Sequence, residues 1–167
     1  MKEIYSRRSI RKYKDQPIDD KQIEQVLRAG MYAPSAGNER PCHYIVIKNR
    51  DTLNQITTFH PFTQMLKEAP AAIVVCADTE ILKYDGMFWI QDVAASVQNI
   101  LLEAESIGLG TCWCGIYPNE NFVSRLSEML SLPAHIIPAA CIAIGHPDEK
   151  REVKERYSEE RVHFDKW

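Results

Sequence analysis

Arg7-Arg8-Ser9-Ile10-Arg11, followed further on by Ala33-Pro34-Ser35-Ala36-Gly37-Asn38, is the part of the chain on which its reading turns. The first segment packs three guanidinium groups and a hydroxyl into five residues, the equipment for gripping a phosphate. Guanidinium forks match phosphate oxygens in pairs, and charged hydrogen bonds of this kind contribute about 1.5–3 kcal/mol each. Arg7 and Arg11 are four apart, so the spacing predicts one face of a helical turn with Arg8 beside them. The second segment is a turn after an amphipathic helix. Its small side chains and backbone N–H groups suit something flat or anionic. Together the two point to a phosphorylated cofactor held between two parts of a fold. A solvated basic terminus is the plain alternative for the arginines taken alone.

Working outward, Asp19 or Asp20 caps a helix whose stripe is Ile23, Val26, Leu27, Gly30 and Met31, and Pro34 ends it. His43–Lys48 reads as a strand, Arg50 to about Thr58 as a helix, and Ala71–Ala77 as a central strand apolar on both faces. From Asp85 to about Ile107 the pattern predicts a helix of about 35 Å. Val93, Val97, Ile100, Leu101, Ala104 and Ile107 make one stripe, while Met87, Ile90 and Ala94 extend the apolar surface to a second face. Such a helix is expected to lie in the core and also to carry a dimer interface. Gly108 and Gly110 stop it, Thr111–Tyr117 forms a strand, Asn119 caps a helix to about Leu130, and Ile136–Ile144 is a strand broken only by Pro138. Tyr157, Val162, Phe164 and Trp167 stud a polar tail and are expected to dock on a neighbouring subunit. With no internal repeat or linker, the reading is one α+β domain over residues 1–167. Its centre is a mixed, mainly antiparallel sheet flanked by helices.

Composition narrows the function. The 167 residues are 45% hydrophobic and 26% charged, enough for one domain with a real core. Such a domain buries roughly 70% of its unfolded surface and needs no disulfides to stand. A net charge of −3 argues against a nucleic-acid partner gripped through bulk positive potential. The basic residues instead crowd the start, at Lys2, Arg7, Arg8, Arg11, Lys12 and Lys14. Cys42, Cys76, Cys112, Cys114 and Cys141 are odd in number, lack a CxxC pair and sit in apolar runs. They read as reduced core thiols of a cytoplasmic protein. Arg7-Arg8 is not an export signal, because Arg11, Lys12 and Lys14 follow where an apolar stretch should be. Ala69–Ala77 and Ile136–Ile144 are too short to span a bilayer, so no membrane partner is expected.

Lys154 and Arg156 could join the phosphate site if the last strand returns beside the N-terminal arginines; otherwise they belong to a solvated tail. Gly108-Leu109-Gly110-Thr111-Cys112-Trp113-Cys114-Gly115 invites a dinucleotide-binding reading but lies between a helix and a strand, the reverse of what that fingerprint requires. Gly115 more simply leaves a backbone N–H open to a ligand. Cys112 and Cys114 share a strand face with no histidine at zinc-ligand spacing, and no metal site is expected. His60, His135, His146 and His163 form no triad pattern. Asp92, Glu103 and Glu105 are assigned to interfaces or solvent.

Taken in order, Arg7-Arg8-Ser9-Ile10-Arg11-Lys12-Tyr13, Ala33 through Pro41, Gly108 through Gly115, and Gly145-His146-Pro147 with Lys154 and Arg156 resemble the nitroreductase family, which binds FMN. The resemblance is collinear over nearly the whole chain. It implies a homodimer with two FMN sites at the interface, each built from both subunits. Arg7, Arg8 and Ser9, with Lys154 and Arg156, would hold the phosphate and ribityl chain. Arg11 would sit by the N1–C2 carbonyl edge, where a cation stabilises the charge of a reduced flavin. Pro34, Ser35, Ala36 and Asn38 would come from the other subunit. Backbone N–H groups around Trp113, Cys114 and Gly115 would meet the N5 edge, where hydride arrives and leaves, so no side chain is implied as catalytic.

The chain departs from the family pattern at Arg40, which stands where glutamine usually precedes the proline. It is also short, with little room for inserted helices. Near His60-Pro61-Phe62 there is no asparagine to face the pyrimidine, and Gln64 is the candidate substitute. The implied function is ping-pong hydride transfer from NADH or NADPH through FMN to a nitroaromatic, quinone or similar flat acceptor. Phe88, Trp89 and Trp113 are candidates for shaping the acceptor pocket. A flavin protein without nicotinamide turnover (a carrier, sensor or flavin-degrading relative) is the second reading. A colourless nucleic-acid module using the arginines, with strongly salt-dependent affinity, is the third.

Overall fold

The computed structural model describes residues 2–167. In chain order its elements are α1 (Glu3–Ser6), α2 (Asp20–Met31), β1 (Cys42–Ile47), α3 (Arg50–Phe59), β2 (Ala71–Asp78), α4 (Trp89–Ser106), β3 (Gly110–Gly115), α5 (Glu120–Met129) and β4 (Ile136–Gly145). Local chemistry sets several boundaries. Asp19 accepts from the Lys21 N–H at 2.8 Å while Gln22 Oε1 accepts from the Asp19 N–H at 3.2 Å, a reciprocal cap that starts α2. Asn49 and Asn119 cap α3 and α5 one way, their side chains accepting from the N–H groups of Thr52 and Phe122.

The four strands form one sheet in the order β1-β2-β4-β3, every neighbouring pair antiparallel. The mixed character comes from the N-terminal segment, where Ser9 bridges Thr111 in parallel along the outer side of β3. Pro138 has no N–H to give the ladder. The register slips beside it, Val75 facing Ala140 and Cys76 facing Pro138, so that Ala139 bulges out.

Alternation along β2 and β4 divides the core in two. Ile73, Val75, Ile142 and Ile144 meet α2 and α4 through Val26, Val93, Val97 and Ile100. Val74, Cys76, Cys141 and Ala143 meet α3 and α5 through Leu53, Ile56 and Leu126. Each of these large aliphatic side chains contributes about 1.5–3 kcal/mol by leaving water. That accounts for β2 being buried on both faces, as its apolar run predicted.

Three expectations need correction. Arg7 to Arg11 is not a helical turn: α1 ends at Ser6, and Arg7 leaves it at φ −53, ψ 135. Pairing with β3 overrides the local spacing, because it buries Ile10 against Gly110, where a Cβ would lie 2.9 Å from the Ile10 side chain. The long helix begins at Trp89 rather than Asp85. Tyr84, Asp85 and Gly86 hold φ of +53, +53 and +70, a left-handed turn that no helix continues through. Its other end follows the expected glycine stop: Leu109 N–H reaches Ala104 O at 2.8 Å and Gly108 N–H reaches Glu105 O at 3.1 Å, with Gly108 at φ +79. The third strand is Gly110–Gly115, so Ile116 and Tyr117 fall outside it.

Met87, Phe88 and Ile90 near the start of α4 are exposed in the single chain, as are Tyr157, Val162, Phe164 and Trp167 along the tail. Among the described residues, no helix is long and apolar enough to cross a membrane.

Candidate functional site

The two ends of the chain meet at the outer side of β3. After β4, Lys14 N–H donates to His146 O and Asp148 N–H to Lys12 O, each at 2.9 Å, so residues 146–148 zip against residues 12–14. The approach is close enough to require glycine at the end of β4. A Cβ on Gly145 would lie 2.6 Å from the Pro70 ring and 2.7 Å from Tyr13. Arg8 then donates from Nε to Glu152 O at 3.0 Å, and the Arg11 N–H donates to Glu149 Oε1 at 2.6 Å. Glu149 also pairs with Arg151 at 2.7 Å.

The result is an open cavity of about 630 Å³ lined by Ser9, by the cations Arg8, Arg11, Arg151, Lys154 and Arg156, and by the carboxylates Glu152 and Glu155. Arg7 stands beside it, half-buried. Its guanidinium is held below the ordinary arginine value, first by burial, then by the like charges of Arg156 and Arg8. Cations that press on one another this way form a place for an anion. The condition set for Lys154 and Arg156, a last strand returning beside the first arginines, is met.

Arg11 also lines a second cavity of about 790 Å³, whose wall includes His60, Phe62, Gln64, Cys112, Trp113, Cys114 and Gly115. Here β3 is the sheet edge. Thr111 O accepts from the Ile10 N–H at 2.9 Å, and Gly115 O meets His60 Nε2 at 2.8 Å. Strand alternation therefore turns the backbone groups of residues 111, 113 and 115 outward and those of 112 and 114 toward β4. Trp113 and Gly115, rather than Cys114, offer their N–H groups to the cavity. A Cβ on Gly115 would meet nothing within 4 Å, so the space over that backbone is open.

His60 is the residue that sequence reasoning missed. It is 2% exposed and stacks on Phe122 with ring centroids 4.2 Å apart. Its Nδ1 accepts from the Phe62 N–H at 3.3 Å, which places the imidazole proton on Nε2 and makes that atom the donor to Gly115 O. The available signal was its position before Pro61, at the end of α3, where a side chain caps the next turn. Gln64 reaches this wall, but its amide donates to Thr57 O at 2.9 Å.

Cys112 and Cys114 share the face beneath this wall, as the strand pattern predicts. The thiol of Cys112 is pushed down to about 7 by a hydrogen bond from Cys114, against the opposing effect of burial and with help from Arg11 and Arg7. Cys114 moves up, through the same hydrogen bond and its own burial. Its single proton has Cys112 Sγ and Phe62 O, the latter at 3.3 Å, within reach. When Cys112 is ionised, donation to that sulfur is the charged hydrogen bond and prevails.

Pro34, Ser35, Ala36 and Asn38 do not reach these cavities within one chain. They form a separate loop beside a pocket of about 250 Å³ lined in part by Pro34, Ser35, Arg40, Tyr44, Asp92 and Ser96. The loop is tightly folded, with Gly37, Asn38 and Arg40 at φ of +51, +57 and +51. Ser35 Oγ accepts from the Arg40 N–H and Asn38 Oδ1 from Arg40 Nε, so Arg40 serves its own loop. Ala36 N–H donates to Asp92 Oδ1 at 2.9 Å. Asp92, expected at an interface or in solvent, is instead buried inside the chain. The predicted residues thus gather in two groups: Arg7, Arg8, Ser9, Arg11, Trp113, Cys114, Gly115, Lys154 and Arg156 in one, and the 34–38 loop in the other.

On another face, His43 lies 3.8 Å from Asp78 and His135 lies 3.7 Å from Glu80. Ligand atoms of Asp78, Glu80 and His135 fall within 4.8 Å of one another. Glu80 and His135 are solvent-facing, and the group reads as surface ion pairs of small energetic weight.

Residues 4–60 and 60–146 match the family model described as Nitroreductase family. The chain is 44% identical over 170 residues to an NADH dehydrogenase/NAD(P)H nitroreductase of Archaeoglobus fulgidus, covering 100% of this chain and 98% of that protein. Among solved structures, an FMN-dependent nitroreductase of Clostridium difficile R20291 superposes with a TM-score of 0.90 at 29% identity, covering 99% of this chain and 98% of that one. A nitroreductase of Desulfovibrio desulfuricans in complex with FMN gives 0.85 at 30% identity, covering 99% and 96%. Sequence and fold agree over the same length, and the chain belongs to the nitroreductase family.

Proposed function

We propose that this chain is an FMN-dependent oxidoreductase that draws hydride from NADH or NADPH and delivers it to a nitroaromatic, quinone or similar flat acceptor. The observation that carries the reading is the cationic cradle made from both ends of the polypeptide. There the Arg7 guanidinium is held below its ordinary value, first by burial and then by the like charges of Arg156 and Arg8, which a bound anion would offset. A phosphate monoester fits that charge, and the open wall above Gly115 fits a planar ring. The FMN bound by the Desulfovibrio relative and the NAD(P)H in the name of the Archaeoglobus relative support the same assignment.

In this reading Arg7, Arg8, Ser9, Lys154 and Arg156 bind the phosphate and ribityl chain. Arg11, which lines both cavities, lies at the pyrimidine edge, where its fixed positive charge favours the electron-rich form of the ring. The N–H groups of Trp113 and Gly115 would meet the other edge of the ring, and His60 bonds the Gly115 carbonyl, steadying the backbone there. FMN held by these residues would supply hydride chemistry at its N5. No side chain has to carry a proton through the wall, and donor and acceptor use the same open face in turn, a ping-pong sequence.

Pro34, Ser35, Ala36 and Asn38 complete the site from a second copy of the chain. The exposed Met87, Phe88 and Ile90 and the aromatic tail become covered in that homodimer. The reduced core cysteines suit a cytoplasmic setting.

The deciding experiment is the absorbance spectrum of the full chain with FMN, before and after anaerobic NADPH or NADH. Bleaching, followed by recovery of colour on adding a quinone, is the expected result. Yellow that persists with both nicotinamides overturns the oxidoreductase reading and favours a flavin protein without turnover.

A further inference from the structure

We propose that Glu39 and Asp92 share one proton across the seam between the 33–40 loop and α4, and that this proton pins the loop in the shape it presents to a partner subunit. Glu39 is 8% exposed and Asp92 6%. Each carboxyl group has one oxygen engaged by a backbone donor: Glu39 Oε2 accepts from the Lys83 N–H at 2.6 Å, and Asp92 Oδ1 from the Ala36 N–H at 2.9 Å. The remaining oxygens, Glu39 Oε1 and Asp92 Oδ2, are buried without a partner. Ionised carboxylates only accept, so two of them side by side would leave two orphaned acceptors and two uncompensated charges out of water. One proton between them turns the conflict into a charged O–H···O hydrogen bond.

Among the described residues, no cation is paired with either carboxyl group. From the loop, the Arg40 guanidinium donates from Nε to Asn38 Oδ1, and from the following turn Lys83 Nζ reaches Gly37 O. Asp85 and Tyr84 on that turn make no hydrogen bond to the pair. Cys42 and Tyr44 on β1, raised by burial to about 11 and about 12, stay neutral in ordinary buffers. The carboxyl of Asp92 is raised from its ordinary value by burial first and by the hydrogen bond and charge of Glu39 next, with the Ala36 N–H opposing. A group whose folded-state value is raised holds its proton more tightly folded than unfolded. Its contribution is complete at low pH and is lost as pH climbs through the folded-state value.

The loop needs such a pin. Asn38 and Arg40 are non-glycine residues held in the left-handed region, a conformation that persists only where neighbours enforce it. The links Ala36 to Asp92, Lys83 to Glu39 and Glu39 to Asp92 tie both ends of the 36–39 turn to the body of the chain. Glu39 and Asp92 are thus positioning residues. Their consequence for cofactor binding rests on the proposed placement of Pro34–Asn38 against the partner's flavin, but the shared proton does not.

Infrared spectra of the full chain without flavin test the proton directly. At neutral pH the wild type should show the carbonyl band of an un-ionised carboxyl group, lost in Glu39→Gln and equally in Asp92→Asn. In either variant the amide donates where the acid did. Absence of the band in the wild type, or its survival in either variant, overturns the proposal. Amide hydrogen exchange of residues 33–40 tests the pin. Wild type and Glu39→Gln should match at mildly acidic pH. At alkaline pH the wild type should exchange about tenfold faster or more than the variant, the loss of one charged hydrogen bond. Equal exchange throughout refutes the positioning role. A chain that passes both tests yet binds no FMN would count against the proposed function alone.

Discussion

Replacing Arg156 by alanine should move two properties in opposite directions. The flavin-free chain should become slightly more stable, and its grip on FMN should weaken. In the empty cradle Arg156 acts on Arg7 only as a like charge. Both groups are solvent-accessible to a degree that screens them, so relief amounts to about 1 kcal/mol or less. For a chain of this size that is a rise of about 2–4 °C in Tm at most. The cost in binding is larger. One charged hydrogen bond to phosphate contributes about 1.5–3 kcal/mol, and about 1.4 kcal/mol is tenfold in affinity. Arg156→Ala should therefore weaken FMN by roughly 10- to 100-fold, and the Arg7→Ala/Arg156→Ala pair by about 10²–10⁴-fold. Thermal unfolding of the flavin-free protein and titration by flavin fluorescence measure the two quantities. High salt should erase the stability gain, because screening acts within about 8 Å at physiological ionic strength. The reasoning fails if Arg156→Ala lowers the flavin-free Tm, or if the double variant holds FMN as well as the wild type.

Other sites give sharper local tests. Gly145→Ala should cost about 1–3 kcal/mol, since the new methyl meets the rigid Pro70 ring; an unchanged Tm would show that the ends of the chain do not pack this tightly. His60→Ala should destabilise by about 1–3 kcal/mol by leaving Gly115 O without its donor. It should also loosen FMN although His60 is far from the phosphate cradle in sequence, and normal flavin affinity would remove it from the site. Alkylation of Cys112 in the flavin-free protein should accelerate through about pH 7, while Cys141, pushed up to about 12 by burial, stays unlabelled. Arg11→Ala should move the Cys112 midpoint upward, and mass spectrometry of the labelled peptides reads both. Because its folded-state value is lowered, this thiolate's stabilisation is present above the ordinary 9.0 and is lost as pH falls through about 7.

Where structure is fixed by neighbours in sequence, the sequence told it. The Asp19 cap, the β2 run and the Gly108 stop each depend on residues a few positions apart, and each stands where the pattern put it. The arginine segment showed its clustered charge in the sequence but not its geometry. A spacing of four suits a helix, yet pairing with β3 decides the matter, and no local pattern reports a sheet edge. The left-handed turn before α4 escaped for a related reason. Tyr84 lies across Gly37, where a Cβ would come within 2.8 Å of its hydroxyl, so a contact distant in sequence sets that backbone. Glu39 and Asp92 carried no sign of each other at all. A buried acid looks like a surface acid until the loop that covers it is in place.

The bond from Arg8 to Glu152 O spans 144 residues of sequence. A nascent chain therefore has its first arginines long before it has anything to set opposite them. The cradle closes only once β4 has been synthesised and added between β2 and β3. If the cradle holds the FMN phosphate as proposed, a polypeptide made without residues 146–156 would keep most of its core and have no grip on its cofactor.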